Sequence, residues 1–340
     1  MCAFAPAKRT FGTNMMPVDS GGVHRSRKAA LRSGGGGDDV GMRTPRPLPR
    51  FLASGPFTAA DAREAGIRPR RLLARDLRHP FHGVHLAVPA TSVEDLCRAY
   101  APVMPEDAWF SHQTAAALLG IPLPASSTTE TLHVSVAFPR TPPSGRGVVG
   151  HSLGTIAGTS VEGMPVCSPA HVWCQLSGVL DREDLVAAGD HLVGARSRVP
   201  LAEIADLAAL SEELRRTKGA KARTWALSRI RYGADSRPET LLRLLLESWG
   251  VSDLVVNGPL AVAGGRLTLH PDLRSPSHRL AFEYEGDGHR VDRHQWHRDI
   301  ERRELLEAEG WHVLRITAAD LFADRAPFHA RVQRFVPNVR

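Results

Sequence analysis

The chain has 340 residues, 42% of them hydrophobic and 23% charged, which is typical of a globular protein with two or three domains. No apolar run approaches the roughly 20 residues of a membrane span, and no signal-peptide core is present, so we expect a cytoplasmic protein without membrane contact. Lys and Arg outnumber Asp and Glu by 43 to 36, and the net charge of +7 favours nucleic acid as a partner.

The four cysteines show no C-x-x-C spacing that would indicate a zinc site or a disulfide framework. They are Cys2, Cys97, Cys167 and Cys174. We expect them to be reduced, buried thiols, as in cytosolic proteins.

Residues 1–48 are rich in Gly, Ser, Pro, Arg and Lys, so we expect a disordered basic tail. The next segment, residues 49–90, predicts a helix at Phe57–Ala62, a second helix from Pro69 to Leu77 and a strand at His82–Val88. A helix, a tight turn, a second helix and a β-hairpin together form a winged helix-turn-helix.

Arginines dominate the second predicted helix of this segment. Those that we expect to contact DNA phosphates and guanine edges in a major groove are Arg68, Arg70, Arg71 and Arg75. The alternative is an Arg-rich, solvated helix in a domain that binds protein.

Residues 91–199 predict a mixed α/β middle region, and residues 200–233 a helical connector. The predicted elements of the middle region are helices at Val93–Val103, Ser111–Leu119 and Leu180–Gly194 and a strand at Leu132–Ala137. Ser111 and His112 resemble a catalytic pair, but a helix N-cap explains Ser111 better.

The pattern S-H-x-x-A-A-x-L-x-G at residues 111–120 also occurs in the AbiEi-type antitoxin family. Residues 50–195 resemble the winged helix and the following segment of that family. The resemblance implies a DNA-binding or regulatory module, and a toxin–antitoxin partner protein is one ligand that it suggests.

Residues 234–340 begin with an amphipathic helix that Ser236 caps and that ends at Gly250. Glu239 lies in its first turn, where a carboxylate complements the positive end of the helix dipole. Arg243 lies four residues further on, so a salt bridge within the helix is an adequate alternative explanation for both residues.

Two alternating stretches, Arg266–Leu273 and Arg279–Glu285, predict an antiparallel hairpin. On the second strand, Glu283 and Glu285 share one face while Phe282 and Tyr284 share the other, and Asp272 closes the first strand beside them. Such an oxygen cluster is typical of a site for Mg²⁺. The alternative is the solvated face of a one-sided sheet.

A histidine and another helix follow the hairpin. His289, after Gly286 and Gly288, lies beside the carboxylates and has a pKa suited to proton transfer. A helix at Val291–Glu309 then places Asp299 and Arg302 on one face. A strand at Trp311–Thr317 and a helix at Ala318–Phe322 complete the order α-β-β-α-β-α, in which the helical crossover makes two strands parallel.

This order, together with H-P-D-(x)10-E-Y-E, resembles the PD-(D/E)XK restriction-endonuclease-like superfamily, and within it the nucleases related to very-short-patch-repair endonucleases. The resemblance covers residues 234–324. It implies that Asp272, Glu283 and Glu239 bind the metal, Mg²⁺ or Mn²⁺. Glu285 stands where the superfamily has its lysine, so the resemblance assigns proton transfer to His289.

The remaining implied roles concern orientation and phosphate binding. Asp299 and Arg302 would orient His289 or contact the phosphate, and Arg290 and Arg298 would hold flanking phosphates. The resemblance implies a metal-dependent endonuclease that hydrolyses DNA phosphodiesters. The alternative is a non-catalytic DNA-binding regulator whose nuclease fold has become a binding module or a homodimer interface.

Overall fold

The computed structural model describes residues 45–127, 131–194, 199–286 and 293–339, and at residues 293–299 it describes the backbone alone. Most of the predicted tail therefore lies outside the described residues. Helices and strands alternate along the described chain, which confirms the mixed α/β fold class. No helix in these ranges is both long enough and apolar enough to cross a membrane.

The N-terminal segment differs from its prediction in the second helix, in the start of the first predicted helix, and in its strand, which is shorter and pairs with a strand ahead of the first predicted helix. Its elements are α1 (Arg50–Ala53), β1 (Phe57–Thr58), α2 (Ala59–Glu64), a 3-10 helix (Pro69–Leu73) and β2 (Val84–His85), with β1 and β2 antiparallel. The prediction of a helix from Pro69 to Leu77 is wrong, because the backbone is extended at Ala74. Arg71 binds Asp76 through two hydrogen bonds of 2.8 and 2.6 Å. Residues five apart lie on different faces of an α-helix, so this pair favours the non-helical path.

The middle region contains a five-stranded sheet in the order β5-β4-β3-β7-β6. Its helices are α3 (Val93–Tyr100), α4 (His112–Leu118), α5 (Pro169–Leu176) and α6 (Arg182–Val193), with short 3-10 helices at Ala101–Val103 and Ala125–Ser127. Its strands are β3 (Ala108–Phe110), β4 (Leu132–Ala137), β5 (Val148–Leu153), β6 (Gly158–Val161) and β7 (Met164–Cys167). The predictions of α3, α4, α6 and β4 are confirmed, whereas α5 and the other four strands were not predicted.

Two further helices, α7 (Ile204–Glu213) and α8 (Ala220–Leu227), lie in the segment predicted to be helical, and both contribute buried residues to the core of the middle region. A single buried core includes residues from Phe81 to Leu244, so it crosses the predicted boundaries at residues 90, 199 and 233. Three cysteines are free and buried, as predicted: Cys97, Cys167 and Cys174.

The C-terminal region is built on a four-stranded sheet in the order β13-β12-β11-β8. Its helices are α9 (Arg237–Ser248), α10 (Arg293–Ala308), α11 (Ala318–Phe322) and α12 (Ala326–Gln333). Its strands are β8 (Val255–Val256), β9 (Leu260–Val262), β10 (Leu267–Leu269), β11 (Leu273–Ser275), β12 (Leu280–Glu285) and β13 (His312–Thr317). Strands β12 and β13 are parallel across α10, as predicted.

The prediction of one strand over Arg266–Leu273 is wrong. Strand β10 pairs with β9 in a separate hairpin, and only β11 pairs with β12. Pro271 lies between them, and because proline has no N–H to donate to a ladder, it interrupts the strand just before Asp272.

The four-stranded sheet is covered on both faces. Phe282 of β12 is fully buried in a core that includes residues of α9, α11 and α12. Ala281, on the opposite face, is buried with Val262, Leu306 and Trp311. This second apolar contact contradicts the alternative in which the face bearing Glu283 is simply the solvated side of a one-sided sheet.

A buried ion pair joins the middle region to α9. Arg243 Nη2 lies 2.8 Å from Asp190 Oδ2 of α6, and the two side chains are 2% and 1% exposed. Asp190 also accepts hydrogen bonds from the Arg231 N–H at 2.7 Å and from Thr240 Oγ1 at 2.9 Å. These donors compensate for the burial of the carboxylate, and the pair is favourable only when both charged partners are present.

We expect Arg243→Met to lower the free energy of unfolding by about 3–5 kcal/mol, because it leaves the Asp190 charge buried without its counter-ion. Urea denaturation measures this change. The control is Arg98→Met, which removes an exposed pair with Glu162 and should cost less than about 1 kcal/mol. Equal losses of unfolding free energy in the two variants would contradict a stabilising role for the buried pair.

Candidate active site at the edge of the C-terminal sheet

Three hydrogen-bond donors hold Glu239 at the start of α9: the Ser236 hydroxyl, the Asp235 N–H and the Asn257 side chain. Its Oε1 accepts from Ser236 Oγ at 2.8 Å, and its Oε2 accepts from the Asp235 N–H at 2.9 Å. Ser236 is the N-cap, as predicted. The predicted alternative, a salt bridge to Arg243, is wrong, because Arg243 turns instead to Asp190 and to Glu247.

Asn257 links Glu239 to the strand that carries the next acid. Its Nδ2 donates to Glu239 Oε2 at 2.7 Å and to the Gly233 carbonyl at 2.9 Å, while its N–H donates to the Asp272 carbonyl at 3.0 Å. The backbone at Asn257 has φ of 44°, a left-handed conformation that Asn tolerates better than most residues. The sequence analysis did not single out this residue, although the run N-G-P after Val256 indicates a turn.

Asp272 directly precedes Leu273 of β11, and Glu283 directly follows Phe282, the register partner of Leu273 on β12. Asp272 Oδ2 accepts a hydrogen bond from the Tyr284 N–H at 2.8 Å. Glu283 Oε1 lies 3.0 Å from Arg302 Nη2 of α10, and the same nitrogen donates to the His270 carbonyl. Arg302 therefore links α10 to Glu283 of β12 and to His270, two residues before Asp272.

Two acids of this cluster, Glu239 and Asp272, resist ionisation. Burial, reinforced by the charge of Asp272, raises the pKa of Glu239 to about 6. Burial also raises the pKa of Asp272, although the Tyr284 N–H and the Arg302 charge act in the opposite direction. Acids that resist ionisation because they are buried together are typical of a site that takes a cation.

The structure describes the side chain of one further residue predicted for this site, Glu285. Glu285 points to the same face as Glu283 and pairs with Arg315 of β13. His289 and Arg290 lie outside the described residues. Arg298 and Asp299 lie on α10, but their side chains are outside the description.

The predicted DNA-binding arginines of the N-terminal segment are not equivalent. Arg68, Arg70 and Arg75 are exposed. Arg71 is not, because its guanidinium binds Asp76 and the Arg46 carbonyl, and only 12% of its side chain is accessible. Only the exposed three have guanidinium groups that present themselves to an incoming phosphate.

A group of histidines in the middle region was missed as a group. Within the described ranges, one set of three or more His, Cys, Asp or Glu side chains has ligand atoms all within 4.8 Å of one another, and it is His112, His133 and His151. Ser111 holds the N-cap position of α4, but its hydroxyl caps no helix N–H and contacts His112 Nδ1 at 3.1 Å. Alternation of residues along β4 and β5 indicates which face of each strand carries its histidine, but it does not specify the register that brings the two histidines together.

No protein-family model matches the sequence, and no curated protein matches it significantly. The interpretation of the site therefore rests on its own geometry and chemistry.

We expect the stability contribution of Glu239 to fall as pH rises. The folded protein holds the Glu239 proton more tightly than the unfolded chain does, with a pKa of about 6 instead of 4.5. Its contribution is therefore complete below about pH 4.5 and is lost as pH rises through about 6, a change of about 2 kcal/mol.

Glu239→Gln tests this prediction because a glutamine can keep the contacts to Asp235, Ser236 and Asn257 without titrating. Urea denaturation at about pH 4.5 and about pH 7.5 gives the difference between variant and wild type at each pH. We expect the variant to gain about 2 kcal/mol on the wild type over this interval. A difference that does not change with pH would contradict the prediction.

Proposed function

We propose that this protein is a Mg²⁺-dependent endodeoxyribonuclease whose metal-binding carboxylates are Glu239, Asp272 and Glu283. One observation carries the proposal: burial, and with it the charge of Asp272, raises the pKa of Glu239, and Arg302, which pairs with Glu283, acts on Asp272 in turn. The resemblance to PD-(D/E)XK endonucleases assigns the same three residues to the metal. With DNA as its substrate, we expect the protein to act in the cytoplasm.

The donor set fits Mg²⁺ in its chemistry. All three groups are carboxylates, which hard divalent cations prefer. Hydrogen bonds orient Glu239 and Asp272 before any ion binds, so little order has to be gained on binding. Among the described residues, the oxygens of the three acids do not all lie within 4.8 Å of one another. Glu283 is paired with Arg302 in this structure.

Each residue then has a distinct task in phosphodiester hydrolysis. When bound, Mg²⁺ supplies Lewis acidity toward the phosphoryl oxygen and lowers the pKa of a water molecule. The Arg302 guanidinium offers N–H donors and no acceptor, so its task is to stabilise negative charge on the phosphate. It supplies from α10 the positive charge that the resemblance would place at Glu285. The proton acceptor in this proposal is His289.

A second candidate function, a non-catalytic DNA-binding regulator, is favoured by one specific observation. Both acids of the E-Y-E motif are in ion pairs, Glu283 with Arg302 and Glu285 with Arg315. Such pairs satisfy the acids without a metal. In this alternative the region binds a partner protein or a second copy of the chain, and DNA binding needs no Mg²⁺.

We expect Mg²⁺ or Mn²⁺ to support cleavage of plasmid, mismatched or single-stranded DNA by the wild type. Asp272→Asn and Glu283→Gln should each reduce the cleavage rate by at least ~100-fold, because each removes a charged oxygen ligand. A matched control is Glu307→Gln, since Glu307 also pairs with an arginine of α10, Arg303. Its rate should stay within about twofold of the wild type.

The outcomes separate the two functions. Cleavage that disappears only in the site variants supports the nuclease. Salt-sensitive DNA binding without cleavage, unchanged in Asp272→Asn and independent of Mg²⁺, would sink the nuclease proposal and favour the regulator.

We expect the exposed arginines of the N-terminal segment to contribute to DNA affinity. Arg70→Gln with Arg75→Gln should weaken binding and reduce the slope of log K against log salt by roughly 0.9 for each phosphate that the variant no longer neutralises. Fluorescence anisotropy at several salt concentrations measures the slope. Arg98→Gln, at another exposed arginine, is the control, and an equal change there would argue against a specific DNA surface.

A further inference from the structure

Three imidazoles meet on the middle sheet, away from the residues assigned above to the nuclease. His112 is the first residue of α4, His133 lies on β4, and His151 lies on β5. In the parallel β4–β5 pair, Ser135 is the register partner of His151, so His133 and His151 are one step apart on the same face. All three side chains are partly accessible to solvent.

Nitrogens of two of these rings are within hydrogen-bond distance of each other, which is about 0.3 Å shorter than the spacing of two nitrogens on one metal ion. His133 Nδ1 lies 3.0 Å from His151 Nε2. Two nitrogens that bind one Zn²⁺ tetrahedrally at 2.0–2.1 Å are about 3.3 Å apart. The ring centroid of His133 lies 5.2 Å from that of His151 and 5.6 Å from that of His112, close to the roughly 5 Å expected for rings that radiate from one ion.

One distance in the group must change when an ion binds. His112 stacks on His151 with centroids 3.8 Å apart, which is closer than radiating ligands allow. Rotation of the His112 side chain, whose Nδ1 contacts Ser111 Oγ at 3.1 Å, lengthens this distance. Two of the three imidazoles are thus close to the spacing of metal ligands, and the third lies adjacent to them.

Burial favours the neutral form of all three imidazoles. Burial first, and the neighbouring imidazoles second, lower the pKa of His112 to about 3, and burial lowers the pKa values of His133 and His151 as well. Neutral imidazole is the form that binds a metal.

The backbone holds His112 in an uncommon conformation that keeps its ring near the other two. Its φ is 50°, in the left-handed region that non-glycine residues rarely adopt. The Gln175 side chain of α5 stabilises this turn, because its Oε1 accepts the His112 N–H at 2.8 Å. Such conformations tend to occur at ligand-binding sites, where the surrounding structure enforces them.

We propose that His112, His133 and His151 bind one Zn²⁺ ion, with the fourth tetrahedral position open to water or to a substrate group. Imidazole nitrogen favours Zn²⁺ and related transition metals, whereas Mg²⁺ requires oxygen ligands. The site is therefore chemically distinct from the carboxylate cluster, and its existence does not depend on the nuclease activity.

The test is a Zn²⁺ titration of the full chain, stripped of metal with a chelator, by isothermal calorimetry. The chain carries Asp272→Asn, so that the C-terminal acids do not compete for the ion. We expect one Zn²⁺ per chain. The dissociation constant should be at least ~100-fold larger in His133→Gln and in His151→Gln. Excess Mg²⁺ should not displace the ion, and Co²⁺ should give the strong visible absorption of a tetrahedral site.

The matched control is His85→Gln. His85 Nδ1 lies 3.0 Å from His79 Nδ1, the same imidazole spacing as in the proposed site but with two rings in place of three. Zn²⁺ affinity should stay within about twofold of the parent in this variant. An equal loss in His85→Gln, or none in His133→Gln, would overturn the proposal.

A measurement on unmutated histidines covers the case in which a variant does not fold. In the ¹⁵N NMR spectrum of the histidine rings, one equivalent of Zn²⁺ should shift one nitrogen in each of the three imidazoles. Binding of Zn²⁺ that leaves these resonances unshifted, or no binding at all, would show that the three rings form a packing cluster only.

Discussion

The buried contact between Asp190 and Arg243 is the interaction on which the rest of this structure depends. It fixes α9 against α6, so the first turn of α9, and with it Glu239, has a defined position relative to the sheet. Its two charges are removed from water, and their mutual attraction offsets the loss of hydration only while both are present. The ion pair therefore joins the middle and C-terminal regions, and so does the apolar core of the middle region, which includes Leu244 of α9.

The carboxylate cluster opposes this stability. Raised pKa values at Glu239 and Asp272 mean that ionisation of the cluster at neutral pH makes the folded state less favourable. Hydrogen bonds from Asn257, Ser236 and Tyr284 hold the oxygens in place without removing the repulsion. Destabilising charge that is nevertheless held in a fixed geometry is the usual condition of a site built to bind something.

The elements with strong periodicity were predictable from sequence. Helix α9 has a capping serine and a regular apolar stripe, and β12 and β13 alternate on either side of a long helix, so their type and parallel pairing followed from local rules. The positions of Asp272 and Glu283 at the same end of one short antiparallel pair followed too, because Leu273 and Phe282 are register partners. The break at Pro271 was missed although proline is a known interruption, since the alternation of residues around it outweighed that signal.

What sequence reasoning missed depends on contacts between distant residues. Asn257 joins Glu239 to Asp272 only because β8 pairs with β11, a pairing of two-residue length that leaves no periodic signal. The three histidines come together through the parallel register of β4 and β5, which no local pattern specifies. Arg71 illustrates a different case, in which the local composition suggested a helix but a local ion pair with Asp76, five residues further on, accompanies a non-helical path.

The three buried thiols have a practical consequence. Burial raises the pKa of Cys97 to about 12 and those of Cys167 and Cys174 to about 11, so almost none of these sulfurs is a thiolate at neutral pH. Because the thiolate is the nucleophile, these positions stay inert toward alkylating reagents while the fold is closed. All three side chains belong to the core of the middle region, so the rate at which a reagent labels them measures how often that core opens transiently.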